Sequence, residues 1–105
     1  MLGRIEISDA GIEARLPVEL LKEDGRVIVY THVLDLCGCG DTPEEAKKDF
    51  EAAVKIFFEE TIKHKTLEQA LEELGWKKVV LPTRQYWEPQ TEFISASLEE
   101  ITIPA

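Results

Sequence analysis

Apolar and polar residues alternate with a period of two from Ile12 to Leu20. Ile12, Ala14, Leu16, Val18 and Leu20 fall on one side, and Glu13, Arg15, Pro17 and Glu19 on the other. That is the pattern of a half-buried strand. Pro17 has no N–H to donate, which predicts an edge that is free or locally unpaired there. Ile5 and Ile7 predict a short strand, or only an arm, before it. Asp24-Gly25 separates two apolar-alternating runs and suits a tight hairpin, whose central residues take positive φ angles. From Arg26 to Leu36 both sides are apolar: Val27, Val29 and Val33 on one, Ile28, Tyr30 and Leu34 on the other. A strand apolar on both faces is covered on both. One face is expected to meet a helix, and the other a second layer, either the C-terminal segment or another subunit. Gly38 and Gly40 are expected to break this strand with a bulge or a sharp corner.

The period then changes to that of a helix. Thr42 can cap, Pro43 suits the first helical position, and Glu45 can close a capping box, so a helix is predicted from Pro43 to about Lys63. Ala46, Phe50, Ala53, Val54, Phe57, Thr61 and Ile62 make its apolar stripe; Lys47, Lys48, Glu51, Lys55 and Glu59 lie opposite and read as solvated charges. Thr66-Leu67-Glu68-Gln69 predicts a second capping box and a short helix with Leu67, Ala70, Leu71 and Leu74 buried, stopped by Gly75. Lys77 to Leu81 has strand character. Pro82 to Gln90, with two prolines, reads as a loop, and Phe93 to Ile103 reads as a C-terminal strand. The elements sum to an α+β fold: a small antiparallel sheet with a long helix packed on one face, a short second helix and a C-terminal strand. At 105 residues, with no repeat or linker, the chain suits a single domain over 1–105.

Charge narrows the partners. Twelve Lys and Arg against twenty-one Asp and Glu leave a net −9, and residues 85–105 hold four acids and no base. Such a field repels phosphate backbones and carries no basic stripe, so direct nucleic-acid binding is not expected, whereas a basic protein partner is compatible with it. No apolar run approaches the ~18 residues of a membrane span. The opening MLGRIEISDAG lacks a basic-then-apolar secretory pattern. Cys37 and Cys39, the only cysteines, are too close in sequence for a strain-free disulfide. A cytoplasmic protein with free thiols and no membrane contact is expected.

Candidate chemistry is sparse. Cys37, Cys39, Asp41 and His32 invite a metal reading, but paired zinc cysteines want two or more residues between them and a second ligand pair elsewhere. A Cys–His nucleophile would need His32 to meet a thiol five or seven residues away along one strand. Glu59-Glu60 and Glu72-Glu73 are neighbours that point apart on a helix. Gly38 and Gly40 are followed by Asp41, which would repel a phosphate. The expectation is a non-enzymatic protein with no catalytic residue, metal or cofactor. Tyr30, Trp76, Tyr86, Trp87 and Phe93 are the candidate partner-binding residues, since large aromatics bury much area with few rotors to freeze. For the last four, covering the back of the sheet is the competing reading.

The hairpin at Asp24-Gly25, Tyr30, Leu34-Asp35-Leu36, Gly40-Asp41-Thr42, the start Glu44-Glu45-Ala46 and the later TLEQALEELGW stand in an order that resembles the HicB-like family of toxin–antitoxin proteins. The match is best over 18–75, with 76–105 an extension. The resemblance implies a small antiparallel sheet crossed by a helix, related in outline to double-stranded-RNA-binding modules. It also implies an antitoxin-type role: self-association into a homo-oligomer and blockade of a small basic HicA-like ribonuclease toxin. Many relatives carry a C-terminal DNA-binding segment; after Trp76 no such pattern is seen, so no direct DNA binding is expected. The family's LPGC corner is replaced here by Leu36-Cys37-Gly38-Cys39. The alternatives are an RNA-binding module, an interaction domain without a toxin partner, and a small hydrolase using Cys37 or Cys39.

Overall fold

The Ile5/Ile7 and Ile12/Ala14 alternations fold into a hairpin of β1 (Arg4–Ser8) and β2 (Gly11–Arg15), with Ile5 opposite Ala14 and Ile7 opposite Ile12. The computed structural model describes residues 3–104. Met1 and Leu2 of the opening MLGRIEISDAG, and Ala105, lie outside the described residues. A second hairpin joins β3 (Glu19–Glu23) to β4 (Arg26–Thr31) through Asp24 and Gly25, at φ +50° and +80°. Two successive positive angles define a type I′ turn, whose twist matches that of the strands it joins. β5 (Leu36–Gly40), α1 (Pro43–Lys63), α2 (Leu67–Glu73), β6 (Trp76–Val80) and β7 (Gln85–Pro89) follow.

The strands form two antiparallel sheets, one of four strands in the order β2-β1-β7-β6 and one of three in the order β3-β4-β5. The fold is α+β with a long helix on one face of a small antiparallel sheet, and a second sheet joins it. The apolar alternation from Ile12 to Leu20 is therefore split between sheets. The break falls at Leu16-Pro17-Val18, where proline cannot continue a ladder and the chain crosses over. The run from Arg26 to Leu36 also ends early, at Thr31. Residues 32–35 are a turn with Asp35 at φ +52°, and Val33 and Leu34 are pushed from it into the core at 1% and 3% exposure. Their apolar character belongs to that plug.

Gly38 and Gly40 do not break a strand; both lie within β5, under α1. A Cβ on Gly38 would collide with the backbone of Asp49 and Phe50, and one on Gly40 would stand 2.8 Å from the Ala46 nitrogen. Hydrogen donors at this crossing are then used locally. The Cys39 N–H donates to Asp49 Oδ2 at 2.9 Å and the Asp41 N–H to Glu45 Oε2 at 2.9 Å, while Thr42 Oγ1 accepts from the Glu45 N–H at 3.2 Å. The predicted capping box thus forms with its return bond shifted by one residue, onto Asp41.

Two apolar clusters fill the interior. Val29, Ala46 and Phe50 lie between the three-stranded sheet and the first half of α1. Ile5, Val33, Leu34, Phe58, Leu67, Leu71, Trp76 and Trp87 lie beneath the four-stranded sheet. Leu16, Leu36 and Val54 touch both. Phe58, outside the predicted stripe, is buried, while Ile62 within it is 48% exposed. Thr66 makes no side-chain cap; Lys65 at φ +57° tightens the link into α2, and Gly75 at φ +90° ends it as expected.

The largest departures come late in the chain. Pro82 to Gln90 is not a loop throughout: β7 occupies Gln85–Pro89 and lies between β1 and β6, Ile5 opposite Trp87 and Trp76 opposite Pro89. Only Leu81 to Arg84 forms the turn, closed by Leu81 N–H to Arg84 C=O at 2.8 Å. The last strand of the chain is therefore β7, and the expected strand over Phe93 to Ile103 finds no strand partner among the described residues. Residues 91–104 extend away from the body, with Ile94, Leu98, Ile101 and Ile103 at 89%, 101%, 79% and 85% exposure. They raise the radius of gyration to 16.4 Å, against about 13 Å for a compact chain of this length.

Two substitutions test this packing by urea denaturation. Gly38→Ala is expected to cost about 2–3 kcal/mol, the upper range for overpacking because the obstructing atoms are backbone. Trp76→Phe is expected to cost about 1–3 kcal/mol, since the Val33 carbonyl would lose the indole N–H bonded to it at 2.7 Å. A loss below about 0.5 kcal/mol in either, the range of ordinary surface changes, would contradict the geometry.

Candidate interaction surface

In β4 successive side chains face opposite ways, so the row Leu20–Val29–Gly38 lies toward α1 and the row Leu21–Ile28–Cys39 faces out. A further outward row is Glu19–Tyr30–Cys37. The strand that is apolar on both faces is thus covered on one: α1 lies over β5 and β4, and among the described residues no element packs on the outer face. Leu21 is 46% exposed, Ile28 and Tyr30 are half-buried, and both cysteines are exposed free thiols. Arg26 and Asp41, 3.6 Å apart, close one end of this surface. At the other, Tyr30 donates its hydroxyl hydrogen to Asp35 Oδ1 at 2.9 Å. That hydrogen bond, with lesser help from burial and neighbouring negative charge, raises the phenol above its ordinary value.

The other aromatic candidates are scattered. Trp76 and Trp87 are core residues, 3% and 4% exposed, so their expected partner-binding role gives way to packing. Their rings fill the space between the four-stranded sheet and the 32–35 turn, and Trp76 satisfies its N–H there on the Val33 carbonyl. Phe93 sits on the extended segment at 53% exposure. Tyr86 lies on the outer face of the four-stranded sheet with the guanidinium carbons of Arg4 and Arg84 at 4.4 and 4.8 Å from its ring centroid. Arg15 and the acids Glu6 and Glu13 share a polar hollow of about 220 Å³ with those two arginines. Arg84 pairs with Glu6 and Arg15 with Glu13, each at 3.7 Å. This concentration of arginine in an acidic chain was hidden because Arg4, Arg15 and Arg84 lie on two strands and a turn; two ion pairs with glutamate offset most of its charge.

The possible catalytic groups do not meet. His32 approaches the Thr91 carbonyl through Nε2 at 3.3 Å, and His64 stands 3.4 Å from Glu60 at the end of α1. Cys37 and Cys39 point outward from β5, two residues apart, on a face without histidine. Among the described residues no three His, Cys, Asp or Glu side chains converge as metal ligands, and no helix is long and apolar enough to cross a membrane.

A second apolar feature lies on the helix side. Ile12, Ala14, Leu16 and Val18 line one wall of a groove of about 390 Å³, and Phe50, Val54 and Phe58 of α1 line the other. It opens beside β3. Leu20 points to the helix side yet remains 52% exposed, and Val18 is 43% exposed. Sequence patterning foresaw the apolar residues here, but not that they would be left uncovered. No family model, curated protein or solved structure matches the chain.

The Tyr30 bond gives a signed pH dependence. Its phenol keeps its proton to higher pH when folded than the ordinary value near 10 in the unfolded chain. The stabilisation is therefore present below about pH 10 and is lost as pH rises through the folded value. Denaturant melts between about pH 9 and 11 should show this alkaline loss reduced in Tyr30→Phe; identical profiles would remove Tyr30 as its source.

Proposed function

We propose that the chain is a non-enzymatic, HicB-like interaction module that self-associates and neutralises a small basic ribonuclease of the HicA type. The observation that carries this reading is the outer face of β3-β4-β5. Leu21, Ile28 and Tyr30 form an apolar strip on a sheet whose other side is already packed, and strips of this kind on a small domain mark protein interaction sites. The net charge of −9 supports a basic partner, which it would attract over a distance of the order of the Debye length, ~8 Å at physiological salt. The order of hairpin, glycine-bearing strand and capped helix, which carries the family resemblance, supports the antitoxin part. RNA binding draws no support from the charge: beside Tyr86, Arg84 is paired with Glu6, and Arg15 of the adjoining hollow is paired with Glu13.

Self-association predicts more than one copy per particle in sedimentation velocity at tens of micromolar. Ile28→Glu, placing a charge in the middle of the outer strip, is expected to weaken it by at least about tenfold, or ~1.4 kcal/mol. Co-expression with the product of the adjacent reading frame should capture a small basic protein and suppress its ribonuclease activity. A protein that stays single at high concentration and captures no such partner would overturn the reading.

A further inference from the structure

The groove on the helix side and the extended segment 91–104 are complementary, and both belong to the same chain. β3 is an edge strand, paired only to β4, and its helix-side residues continue from Val18 through Leu20 to Lys22. Edge strands are normally blunted by charge or proline. Here proline is confined to position 17, and although β3 carries the charges Glu19, Lys22 and Glu23, Val18 and Leu20 stay 43% and 52% exposed. The extended segment has a matching strand pattern at its far end: Glu99, Ile101 and Ile103 share one side, followed by Pro104.

We infer that residues 98–104 of one copy add as an antiparallel strand to the free edge of β3 in a second copy, in a reciprocal exchange. The antiparallel register that sets Ile101 against Leu20 also sets Ile103 against Val18 and Glu99 against Lys22. Lys22 has no acidic partner among the described residues. The same register sets Pro104 against Pro17, so the ladder ends on both strands where neither chain has an N–H to give. A parallel strand with Ile101 on Leu20 would instead put Glu99 on Val18 and Ile103 on Lys22. In the antiparallel register Ile103, set against Val18, would reach the groove that Val18 lines together with Phe50 and Val54.

A second copy is the occupant because the segment leaves its own body at Thr91, held near His32, and runs outward with Leu98 wholly exposed. Its 56 Å longest dimension, against 33 and 26 Å for the others, reflects that reach. A twofold exchange covers both segments and both edges at once, as closed symmetric dimers require. This inference rests on the self-association part of the proposed function and adds a second contact surface to the outer strip.

The test uses two full-length variants, I101E/I103E on the segment and V18E/L20E on the edge, each checked for unchanged far-UV circular dichroism. Sedimentation velocity should show association of each variant weakened by at least about tenfold relative to wild type. An equimolar mixture should associate more tightly than either variant alone, because one wild-type segment then meets one wild-type edge. Association unaltered in I101E/I103E but lost in Ile28→Glu would overturn the exchange and leave self-association through the outer strip standing. A wild-type protein that is a single copy at high concentration would overturn both.

Discussion

α1 sits on β5 with almost no space between their backbones, and the other features of the molecule follow from that contact. Glycine at positions 38 and 40 is what permits it, because any side chain there would overlap the turns of helix carrying Ala46, Asp49 and Phe50. Close contact excludes water and brings the Asp49 carboxylate within reach of the Cys39 N–H, so the helix is held by a directed bond as well as by packing. Since side chains alternate along a strand, glycine at 38 and 40 forces Cys37 and Cys39 to face outward. The thiols owe their exposure to the requirements of the helix, which explains their position without any chemistry assigned to them.

Seating the helix over β5 and β4 leaves it displaced from β3. Leu20 is on the correct side of the sheet to be covered, in the same row as the fully packed Val29, yet half of it meets solvent. A single helix of this diameter cannot cover three strands while pressed against the third. The sheet thus keeps one uncovered face and one uncovered edge. Burying an aliphatic side chain is worth about 1.5–3 kcal/mol, so leaving Leu20, Leu21 and Val18 out is a substantial loss for a lone domain of this size. A second layer supplied by another chain would recover it.

The second sheet ties the remaining sequence to this frame. Trp76 reaches from β6 to the Val33 carbonyl, and Trp87 lies beside Ile5 at the centre of the four strands. These contacts anchor the 32–35 turn and so hold the β4–β5 connection against the rest of the core. The tryptophans that look suited to a partner are used to join the two sheets. The sheet face left uncovered among the described residues is aliphatic and thiol-bearing, with Tyr30 at its end, in a chain of net charge −9.

Local signals were legible wherever a single residue or a short spacing carries the physics. The Asp24-Gly25 turn, the Thr42-Pro43 helix start, the length of α1 and the stop at Gly75 all follow from φ preferences and hydrogen-bond supply that neighbours in sequence control. What could not be read was which element each segment meets. Pro17 divides one alternating run between two sheets, β7 enters an interior position despite Pro89, and Val33 and Leu34 leave a strand to plug the core. The last two outcomes depend on partners far along the chain, Ile5 for Trp87 and Trp76 for Val33. Packing against the sheet was one of the two readings open for Trp76 and Trp87, and their burial follows it, whereas the stacking of Arg4 and Arg84 on Tyr86 and the lack of a strand partner for residues 93–103 among the described residues depend on contacts that spacing does not carry. Residue type and spacing dictate backbone conformation; exposure is settled by which faces the packed layers run out of material to cover.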